Sequence, residues 1–418
     1  MSDSRDGAAV AGAPFGEVLR DVRVLDFCWV GAGALVTKLL ADLGAYVIKI
    51  ESRRRPDNLR TSPPFKADTE GLDASGYFAS RNTSKRSFAL DMKHPRAHEV
   101  ALDLVRACDV MTNNYRPGVM ERFGLAYADV RRHNPAGIYL SMPMQGNDGP
   151  HRDYIGFGST ILALAGLAEA SGLPDRSPVG TGTQYPDHVP NPGHALVAVL
   201  AALLHRDATG EGQEIELSQL ESTINFAGPA VLAHSLEGGS PERTGNRARD
   251  ACPSGVFPCA GDDAWCALEI HTDAQWERLV DALGSPTALA GASLRTHAGR
   301  AAAEDGLERE LAAVTRSWDK HELMHHLQRH GVPAGIVATS RDVAEDPHLI
   351  ARSYWHRPPH DVIGPMAVNG APFRVDGRPV PPRSAAPLLG AHTREIATGV
   401  LGYSGDRYEE LASSGVFE

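Results

Sequence analysis

The chain opens with short apolar strands that alternate with amphipathic helices, and this alternation limits its fold more than any other feature. The pattern predicts strands at Arg23–Phe27 and Tyr46–Ile50, with a helix at Ala34–Leu43 between them. Further strands are predicted at Ser87–Asp91 and Gly137–Met142. Strands that alternate with helices form an open, mainly parallel sheet with helices on both faces. We therefore predict an α/β fold.

The turn between the first strand and the first helix contains Gly31 and Gly33. Such a turn is typical of nucleotide-binding βαβ units. It does not complete the GxGxxG pattern, because Val36 occupies the last glycine position, and the chain contains no P-loop. The turn is therefore only a weak indication of dinucleotide binding.

The pattern changes after about residue 225. The segment 238–255 is polar and glycine-rich, and a strand at Trp265–Ile270 is followed by helices that include Lys320–Arg329. From Asp346 onward proline is dense, which is typical of a segment that crosses another surface. We predict four parts: a loose tail (1–14), a large domain (15–225), a smaller α+β domain (226–345) and a C-terminal segment that returns to the large domain (346–418).

Composition and charge narrow the class of protein. The 418 residues are 42% hydrophobic and 22% charged, as in soluble globular proteins, and no apolar run is long enough to span a membrane. The start of the chain lacks the basic and apolar blocks of a signal peptide. Five scattered cysteines without a CxxC pair are typical of reduced thiols. We expect a cytoplasmic protein.

The net charge of −11 argues against general nucleic-acid binding. Its distribution is uneven, since Lys49–Arg96 contains eleven Lys and Arg against six Asp and Glu. A local positive surplus on an acidic chain indicates a site for a small polyanion. A mixed, solvated surface is the alternative.

The stretch 180–216 holds a single central carboxylate, Asp187. Asn191 and Pro192 form a helix-start signal, and His194–His205 is so apolar that we predict a helix buried on all sides. A strand is predicted at Gly212–Leu217. Asp187 is either a solvated turn acid or a nucleophile in fixed surroundings, and spacing alone leaves both interpretations open.

Six segments of the chain together resemble the class III CoA-transferases, the family of formyl-CoA transferase and carnitine CoA-transferase. They lie in order along nearly the whole chain. They are RVLDFCWVGAGALVTKLLADLGAYVIKIE (23–51), NTSKRSFALDMK (82–93), NNYRPGVMERFGL (113–125), ATGEGQEIELS (208–218), DPHLIARSYW (346–355) and PLLGAHTREI (387–396).

This resemblance implies a Rossmann-like large domain, a small domain, and an interlocked homodimer in which the C-terminal segment crosses the partner. It places the catalytic aspartate of the family at Asp187. Coenzyme A is implied as part of the substrate, with a small carboxylic acid as the second substrate and no metal. The implied CoA contacts are Val30, Ala32, Arg53, Leu90, Lys93, Asn114, Arg116, Val119, Arg122 and Phe123.

The resemblance also implies a covalent mechanism. The Asp187 carboxylate would attack the donor acyl-CoA and form a mixed anhydride, which CoA thiolate would convert into an aspartyl-CoA thioester. The acceptor carboxylate would then take over CoA through a second anhydride. Backbone N–H groups in glycine-rich loops would stabilise the developing oxyanions, and Gly238, Gly239 and Gly245 are candidates for a mobile cover or for ordinary linker flexibility.

The chain departs from the family pattern at three places. Gly31 stands where a Gln is often found, and Gly158 stands where an acidic residue is common. The usual Asp-x-x-x-Gly is replaced by Asp187-His-Val-Pro-Asn-Pro-Gly, a form that resembles the branch with benzylsuccinate CoA-transferases.

Two other motifs suggest metal sites. His321-Glu322-Leu323-Met324-His325 is a literal HExxH, the zinc-protease signature. We predict an ordinary helix, because Leu323 and Leu327 form an apolar stripe opposite the histidines. Cys252, Cys259 and Cys266, near His271, lack the close pairing of zinc ligands, and we predict buried free thiols.

Two other functions compete with CoA transfer. A 2-methylacyl-CoA racemase on the same fold would need a second base, but the corresponding segment is Gly156-Phe157-Gly158, and Phe157 cannot carry a proton. A non-catalytic CoA-binding protein is disfavoured by the intact Asp187. His188 and His194 are candidate acid–base partners of Asp187, and His188 is otherwise a loop residue.

Overall fold

A computed structural model of the protein describes residues 15–239 and 242–418; the predicted tail 1–14 lies outside these residues. The strands are β1 (Arg23–Asp26), β2 (Tyr46–Glu51), β3 (Arg86–Ala89), β4 (Val110–Asn113), β5 (Ile138–Ser141), β6 (Glu214–Glu216), β7 (Ser254–Pro258), β8 (Trp265–Glu269), β9 (Ala334–Ile336), β10 (Trp355–His356), β11 (Val368–Asn369), β12 (Arg374–Val375) and β13 (Arg378–Pro379).

The described residues form the following helices. They are α1 (Ala32–Asp42), α2 (Gly76–Arg81), α3 (Ala97–Ala107), α4 (Val119–Arg122), α5 (Tyr127–His133), α6 (Gly158–Leu164), α7 (Tyr185–His188), α8 (Pro190–Thr209), α9 (Gln219–Ile224), α10 (Gly228–Glu237), α11 (Asp273–Ala282), α12 (His297–Ala302), α13 (Glu304–Thr315), α14 (Lys320–Arg329), α15 (Ser340–Glu345), α16 (Pro347–Ala351), α17 (Thr393–Glu395) and α18 (Gly405–Ser413). Helix α1 matches the predicted Ala34–Leu43 to within two residues, and α8 extends the predicted His194–His205 by four residues at each end.

Strands β1 to β6 form one sheet in the order β3-β2-β1-β4-β5-β6, and every pairing in it is parallel. This confirms the predicted α/β class with a parallel sheet. The strand order reverses between β1 and β4. In open parallel sheets, ligands bind outside the carboxyl ends of the strands at such a reversal.

The sheet buries both faces, because alternate residues of each strand point to opposite sides. In β1, Val24 packs into one hydrophobic cluster with α1 and α8, and Leu25 packs into the other with α3. The second cluster also receives Ile396 and Leu411 from the end of the chain. The C-terminal elements therefore complete the core beneath the sheet.

The chain separates into two compact units. The first comprises the described residues through Ala168 together with Gly180–Glu237 and Pro347–Glu418. The second comprises Glu169–Val179 and Gly238–Asp346, so a segment that the sequence analysis assigned to the large domain joins the second unit. The predicted domain bounds stay a prediction.

The second unit has its own core. β7, β8 and β9 form an antiparallel sheet, and the cluster around Trp276, Leu279 and Leu311 is buried against it. Leu323 and Leu327 of α14 are fully buried in this cluster, as the apolar stripe of the HExxH helix predicts.

Within a single chain, one prediction about the helix after Asp187 is wrong. Helix α8 is not buried on all sides, since Ala195, Val199 and Leu203 enter the core whereas Val197 and Leu204 are 67% and 73% exposed. The sequence shows an almost continuous apolar run, but only one face of it meets the sheet. The other face is an apolar surface within the described part of the chain.

Candidate active site at the strand-order reversal

The turn after β1 and the end of β4 meet at the reversal of strand order. Asn114 joins them, because its Oδ1 accepts a hydrogen bond from Trp29 N at 2.9 Å and its Nδ2 donates to Trp29 O at 2.6 Å. Both the oxygen and the nitrogen of the Asn114 amide therefore form hydrogen bonds with the turn. This side chain fixes the backbone immediately before Val30 and Gly31.

Val30 has a φ of 62°, which is a strained conformation for a β-branched residue. The buried Asp57 holds it there. Asp57 Oδ1 accepts hydrogen bonds from Val30 N at 3.1 Å and Leu59 N at 3.0 Å, and Oδ2 pairs with Lys49 Nζ at 2.9 Å. Backbone strain that is fixed by a buried ion pair is typical of functional turns.

A second buried ion pair lies beneath the same turn. Asp26 Oδ2 accepts from Thr37 Oγ1 at 2.7 Å and from Lys85 Nζ at 3.1 Å, while Oδ1 accepts from Cys28 N at 2.9 Å and Thr112 Oγ1 at 3.2 Å. Asp26 and Lys85 are both fully buried. These contacts join β1, α1, β3 and β4 into one rigid support.

Asp187 lies on the short helix α7 and is 8% exposed. Two glycines form its immediate walls. A Cβ atom at Gly31 would lie 2.8 Å from Asp187 Cβ and 2.9 Å from Oδ2, and one at Gly158 would lie 3.0 Å from Oδ2. A side chain at either position would collide with the carboxylate, so these glycines make the room that Asp187 occupies.

Burial raises the pKa of Asp187 to about 6. Desolvation disfavours the charged form of a carboxyl group. Within residues 15–239 and 242–418, no cation or hydrogen-bond donor contacts the carboxylate to offset this effect. The group remains mostly ionised at neutral pH, and it is more basic than an ordinary aspartate.

Asp187 opens into a cavity of about 180 Å³. The lining is mainly backbone, glycine and apolar side chains. Its residues are Trp29, Val30, Gly31, Ala32, Asn114, Tyr115, Met144, Gly156, Phe157, Gly158, Ile161, Asp187 and Gln219. Phe157, at the position where a racemase would need its second base, is part of this lining.

Gln184 is a residue that the sequence analysis missed. Its Oε1 is buried and has no hydrogen-bond partner among the described residues. A Cβ atom at Gly158 would lie 2.6 Å from Gln184 Oε1 and 3.0 Å from Asp187 Oδ2. The Gln184 amide is therefore a neighbour of the carboxylate. Only its place three residues before Asp187, one helical turn away, hinted at this in the sequence.

The two candidate histidines are occupied elsewhere. His188 Nδ1 lies 3.3 Å from Arg81 Nη2, and burial together with the Arg81 charge lowers its pKa to about 4. His194 Nδ1 lies 2.7 Å from Ser222 Oγ. Neither histidine is among the residues that line the Asp187 cavity.

The predicted CoA contacts fall into two groups. Val30, Ala32 and Asn114 line the Asp187 cavity, whereas the cations Arg53, Lys93, Arg116 and Arg122 are exposed. Leu90 is buried, and Val119 and Phe123 are half-buried. None of the four cations forms an ion pair with another residue that the structure describes. Their contacts with CoA stay a prediction.

The basic segment Lys49–Arg96 needs a correction. Lys49, Arg60 and Lys85 are fully buried and pair with acids inside the protein, Arg60 with Glu51 at 2.7 Å. The charge count treated all eleven cations alike. These three stabilise the fold and are unavailable to a polyanion.

The remaining motifs are structural in this part of the chain. His321 of the HExxH segment contacts Asp342, with Nε2 3.3 Å from Oδ1. The described ranges contain no group of three or more His, Cys, Asp or Glu side chains arranged to hold a metal ion. Cys252, Cys259 and Cys266 are buried free thiols, as predicted, and burial raises the pKa of Cys266 to about 12.

No helix in the described ranges is both long and apolar enough to cross a membrane. The predicted cytoplasmic location stays a prediction.

Comparison with known proteins agrees with the resemblance seen in the six segments. A sequence model of CoA-transferase family III matches residues 19–393. A succinyl-CoA–D-citramalate CoA-transferase of Chloroflexus aurantiacus is 31% identical over 388 residues, covering 93% of this chain and 95% of the relative. A succinyl-CoA:mesaconate CoA-transferase of Haloarcula hispanica is 34% identical over 389 residues, covering 90% and 95%.

The structure is also similar to a solved one. The crystal structure of a CAIB/BAIF family protein from Brucella suis matches with a TM-score of 0.84 and 28% identity, covering 92% of this chain and all of that one. The chain belongs to CoA-transferase family III. Its reaction class is that of an acyl-CoA:carboxylate CoA-transferase, which confirms the expectation drawn from the sequence.

Proposed function

We propose that the protein moves CoA from an acyl-CoA to a carboxylic acid through covalent intermediates on Asp187. One observation carries the proposal. Asp187 is a buried carboxylate with no charged partner among the described residues, held between two glycines at the strand-order reversal. A nucleophile needs free lone pairs and fixed surroundings, and this arrangement provides both.

The reaction balances without an external acid, base or metal. An Asp187 oxygen attacks the acyl carbon of the donor, the C–S bond breaks, and CoA thiolate and a mixed anhydride result. The thiolate then attacks the Asp187 carbonyl carbon, releasing the donor acid and leaving an aspartyl thioester. The acceptor carboxylate attacks that thioester and expels thiolate, which finally attacks the acceptor acyl carbon and restores Asp187.

Each of these steps places negative charge on a carbonyl oxygen next to Asp187. Helix α1 begins at Ala32 beside the carboxylate, and its first backbone N–H groups have no partner within the helix. The N-terminus of a helix favours negative charge, and a fixed N–H donor contributes about 3 kcal/mol to such an intermediate. These N–H groups are the proposed oxyanion donors.

The Gln184 amide is a second proposed donor. Rotating the amide by 180° exchanges its oxygen and nitrogen and places N–H groups against Gly158 and Asp187. The oxygen then no longer lies buried without a hydrogen-bond donor. An amide donor there would stabilise the oxyanion that forms on the carbonyl carbon of acylated Asp187. Gln184 acts in this proposal only through Asp187.

The predicted CoA contacts are the proposed binding residues for the CoA part of the substrate. Val30 and Ala32 lie beside Asp187, which suits the thioester end of the molecule. Arg53, Lys93, Arg116 and Arg122 are exposed cations without ion pairs among the described residues, which suits the phosphates. Leu90, Val119 and Phe123 complete the proposed contacts.

We also propose the homodimer that the family resemblance implies. Helices α8 and α10 support it, because Val197, Leu204, Leu232 and Leu236 are largely exposed and α10 buries none of its residues within the described chain. Exposed apolar surface of this kind is typical of interaction sites. The interlocked form, with the C-terminal segment crossing the partner, is the proposed arrangement. Light scattering should give the mass of two chains, and a stable monomer would contradict the proposal.

The mechanism is tested with Asp187→Asn. This variant keeps the size of the side chain but removes the charge and the nucleophilic oxygen, so transfer should fall about 10⁴-fold or more while CoA binding survives. Asp153→Asn, at a largely exposed acid, is the matched control and should keep normal activity. Transfer is followed by mass spectrometry over a panel of acyl-CoA donors and carboxylic acids that includes succinyl-CoA.

Hydroxylamine trapping identifies the acylated residue. Added during turnover, it should convert Asp187 into its hydroxamate, seen as a mass shift on the peptide 180–216, and should leave enzyme without acyl-CoA unmodified. Near-normal transfer by Asp187→Asn, or an adduct on another carboxylate, would show that the mechanism is wrong.

A further inference from the structure

We propose that the Asp187 cavity accepts apolar monocarboxylic acyl groups about the size of a phenyl ring or a short branched chain, in preference to acyl groups with a second carboxylate. This inference rests on the proposed function, because it assumes that the reacting acyl group enters the cavity beside Asp187. It concerns the substrate class.

The side chains that line the cavity offer an apolar surface. Trp29, Met144, Phe157 and Ile161 contribute carbon and sulfur, and no Lys, Arg or His is among the lining residues that the structure describes. A second carboxylate of a bound acyl group would therefore meet no cation there. Recognition of carboxylates in proteins normally uses such a cation, most often an arginine.

The two amide side chains of the lining, Asn114 and Gln219, are already engaged. Both groups of the Asn114 amide bind the backbone of Trp29. Gln219 Nε2 donates to Met142 O at 2.7 Å, and its Oε1 accepts from Asn191 Nδ2 at 3.3 Å. Redirecting either amide to a substrate carboxylate would break contacts that hold the cavity wall.

Electrostatics adds to this selection. Asp187 carries the charge in the cavity and has no neutralising partner among the described residues. A dicarboxylic acyl group would bring a second negative charge into the same half-enclosed space. Burying an unpaired charge is costly, and a like charge nearby raises the cost further.

The volume fits an apolar group of moderate size. The cavity measures about 180 Å³. An apolar cavity of about 150 Å³ in a protein interior is large enough to bind benzene. A phenyl ring or a branched aliphatic chain would fill the space, whereas a one-carbon or two-carbon acyl group would leave most of it empty and lose contact energy.

The test compares matched donors. Butyryl-CoA and succinyl-CoA have the same number of acyl carbons and differ in a terminal methyl against a carboxylate, and phenylacetyl-CoA adds a ring. With a common acceptor, kcat/KM should be about a hundredfold higher for butyryl-CoA than for succinyl-CoA, and highest for phenylacetyl-CoA. A ratio at or below one in the wild type would overturn the inference.

Two variants test whether the cavity wall sets the ratio. Phe157→Arg places a cation on the lining at a residue that is 64% exposed, so the fold should tolerate it. The ratio should shift at least tenfold toward succinyl-CoA. Ile155→Arg introduces the same charge two residues away, outside the lining, and should leave the ratio unchanged. An unchanged ratio in Phe157→Arg, or an equal shift in both variants, would contradict the inference.

The outcomes separate this inference from the proposed function. If Asp187 forms the hydroxamate during turnover but succinyl-CoA is the better donor, the substrate class is wrong and the mechanism stands. If transfer occurs but no Asp187 adduct forms during turnover, the mechanism itself is wrong.

Discussion

Asp26 and Asp187 are both buried aspartates within the first unit, and they differ in what surrounds the carboxylate. Asp26 accepts four hydrogen bonds, one of them from the buried Lys85. Asp187 has no donor or cation at its carboxylate among the described residues. Burial is the largest single influence on both pKa values. At Asp26 the Lys85 and Lys49 charges, together with the hydrogen bonds from Thr37 and Cys28, outweigh it and lower the pKa, whereas burial alone raises the pKa of Asp187 to about 6.

The difference separates an aspartate that stabilises the fold from one that can react with a substrate. A buried acid whose lone pairs are all in use cannot attack a substrate, and its value lies in joining the elements that contact it. A buried acid without partners costs stability, and proteins retain such groups where a reaction needs them. Asp26 supports the turn, and Asp187 is free to react beside it.

The largest expected effect is that substitution by Asn changes the unfolding free energy in opposite directions at these two aspartates. Asp26→Asn leaves Lys85 buried without its counter-ion, and breaking a buried pair costs about 3–5 kcal/mol of unfolding free energy. Asp187→Asn removes an unpaired buried charge. It should raise the unfolding free energy at neutral pH by about 3 kcal/mol, following the upward shift of the Asp187 pKa.

The stability difference between Asp187→Asn and the wild type should depend on pH. The folded protein binds the Asp187 proton more tightly than the unfolded chain does, so lowering the pH through about 6 relieves the cost in the wild type. The stability gain of Asp187→Asn should therefore shrink toward pH 4. Urea titrations at several pH values measure both variants. A destabilised Asp187→Asn at neutral pH would show that the carboxylate has a stabilising partner.

The sequence predicts the scaffold well, because local signals determine it. Apolar strands and amphipathic helices each carry their own periodicity, so the bounds of β1, β2 and α14 agree with the pattern to within one residue. The prediction that α8 is buried on all sides is wrong for a related reason. Periodicity cannot tell an apolar face that meets the sheet from one that remains exposed on the described chain, as Val197 and Leu204 do.

The site depends on contacts between distant residues, and the sequence predicts it less well. Asp187 and Gly31 are distant in the chain, and the lack of a Gln at Gly31 gave no sign that the glycine makes room for the carboxylate. Asp57 holds Val30 through a hydrogen bond that no local pattern indicates. Likewise, Lys49 and Lys85 counted as surface charge until the fold placed them beside buried acids.

A smaller effect tests whether the isolation of Asp187 depends on the glycines around it. Gly31→Ala adds one methyl group, which would lie 2.9 Å from Asp187 Oδ2 and must displace the carboxylate without changing any charge. Because misplacement of a reacting group by about 1 Å costs on the order of a hundredfold in rate, kcat should fall about that much while CoA binding changes little. Gly193→Ala is the matched control, since a Cβ there meets no atom within 4 Å, and it should keep wild-type kcat. Full activity of Gly31→Ala would mean that the carboxylate is free to move, and the fixed, unpartnered Asp187 could then no longer be what distinguishes it from Asp26.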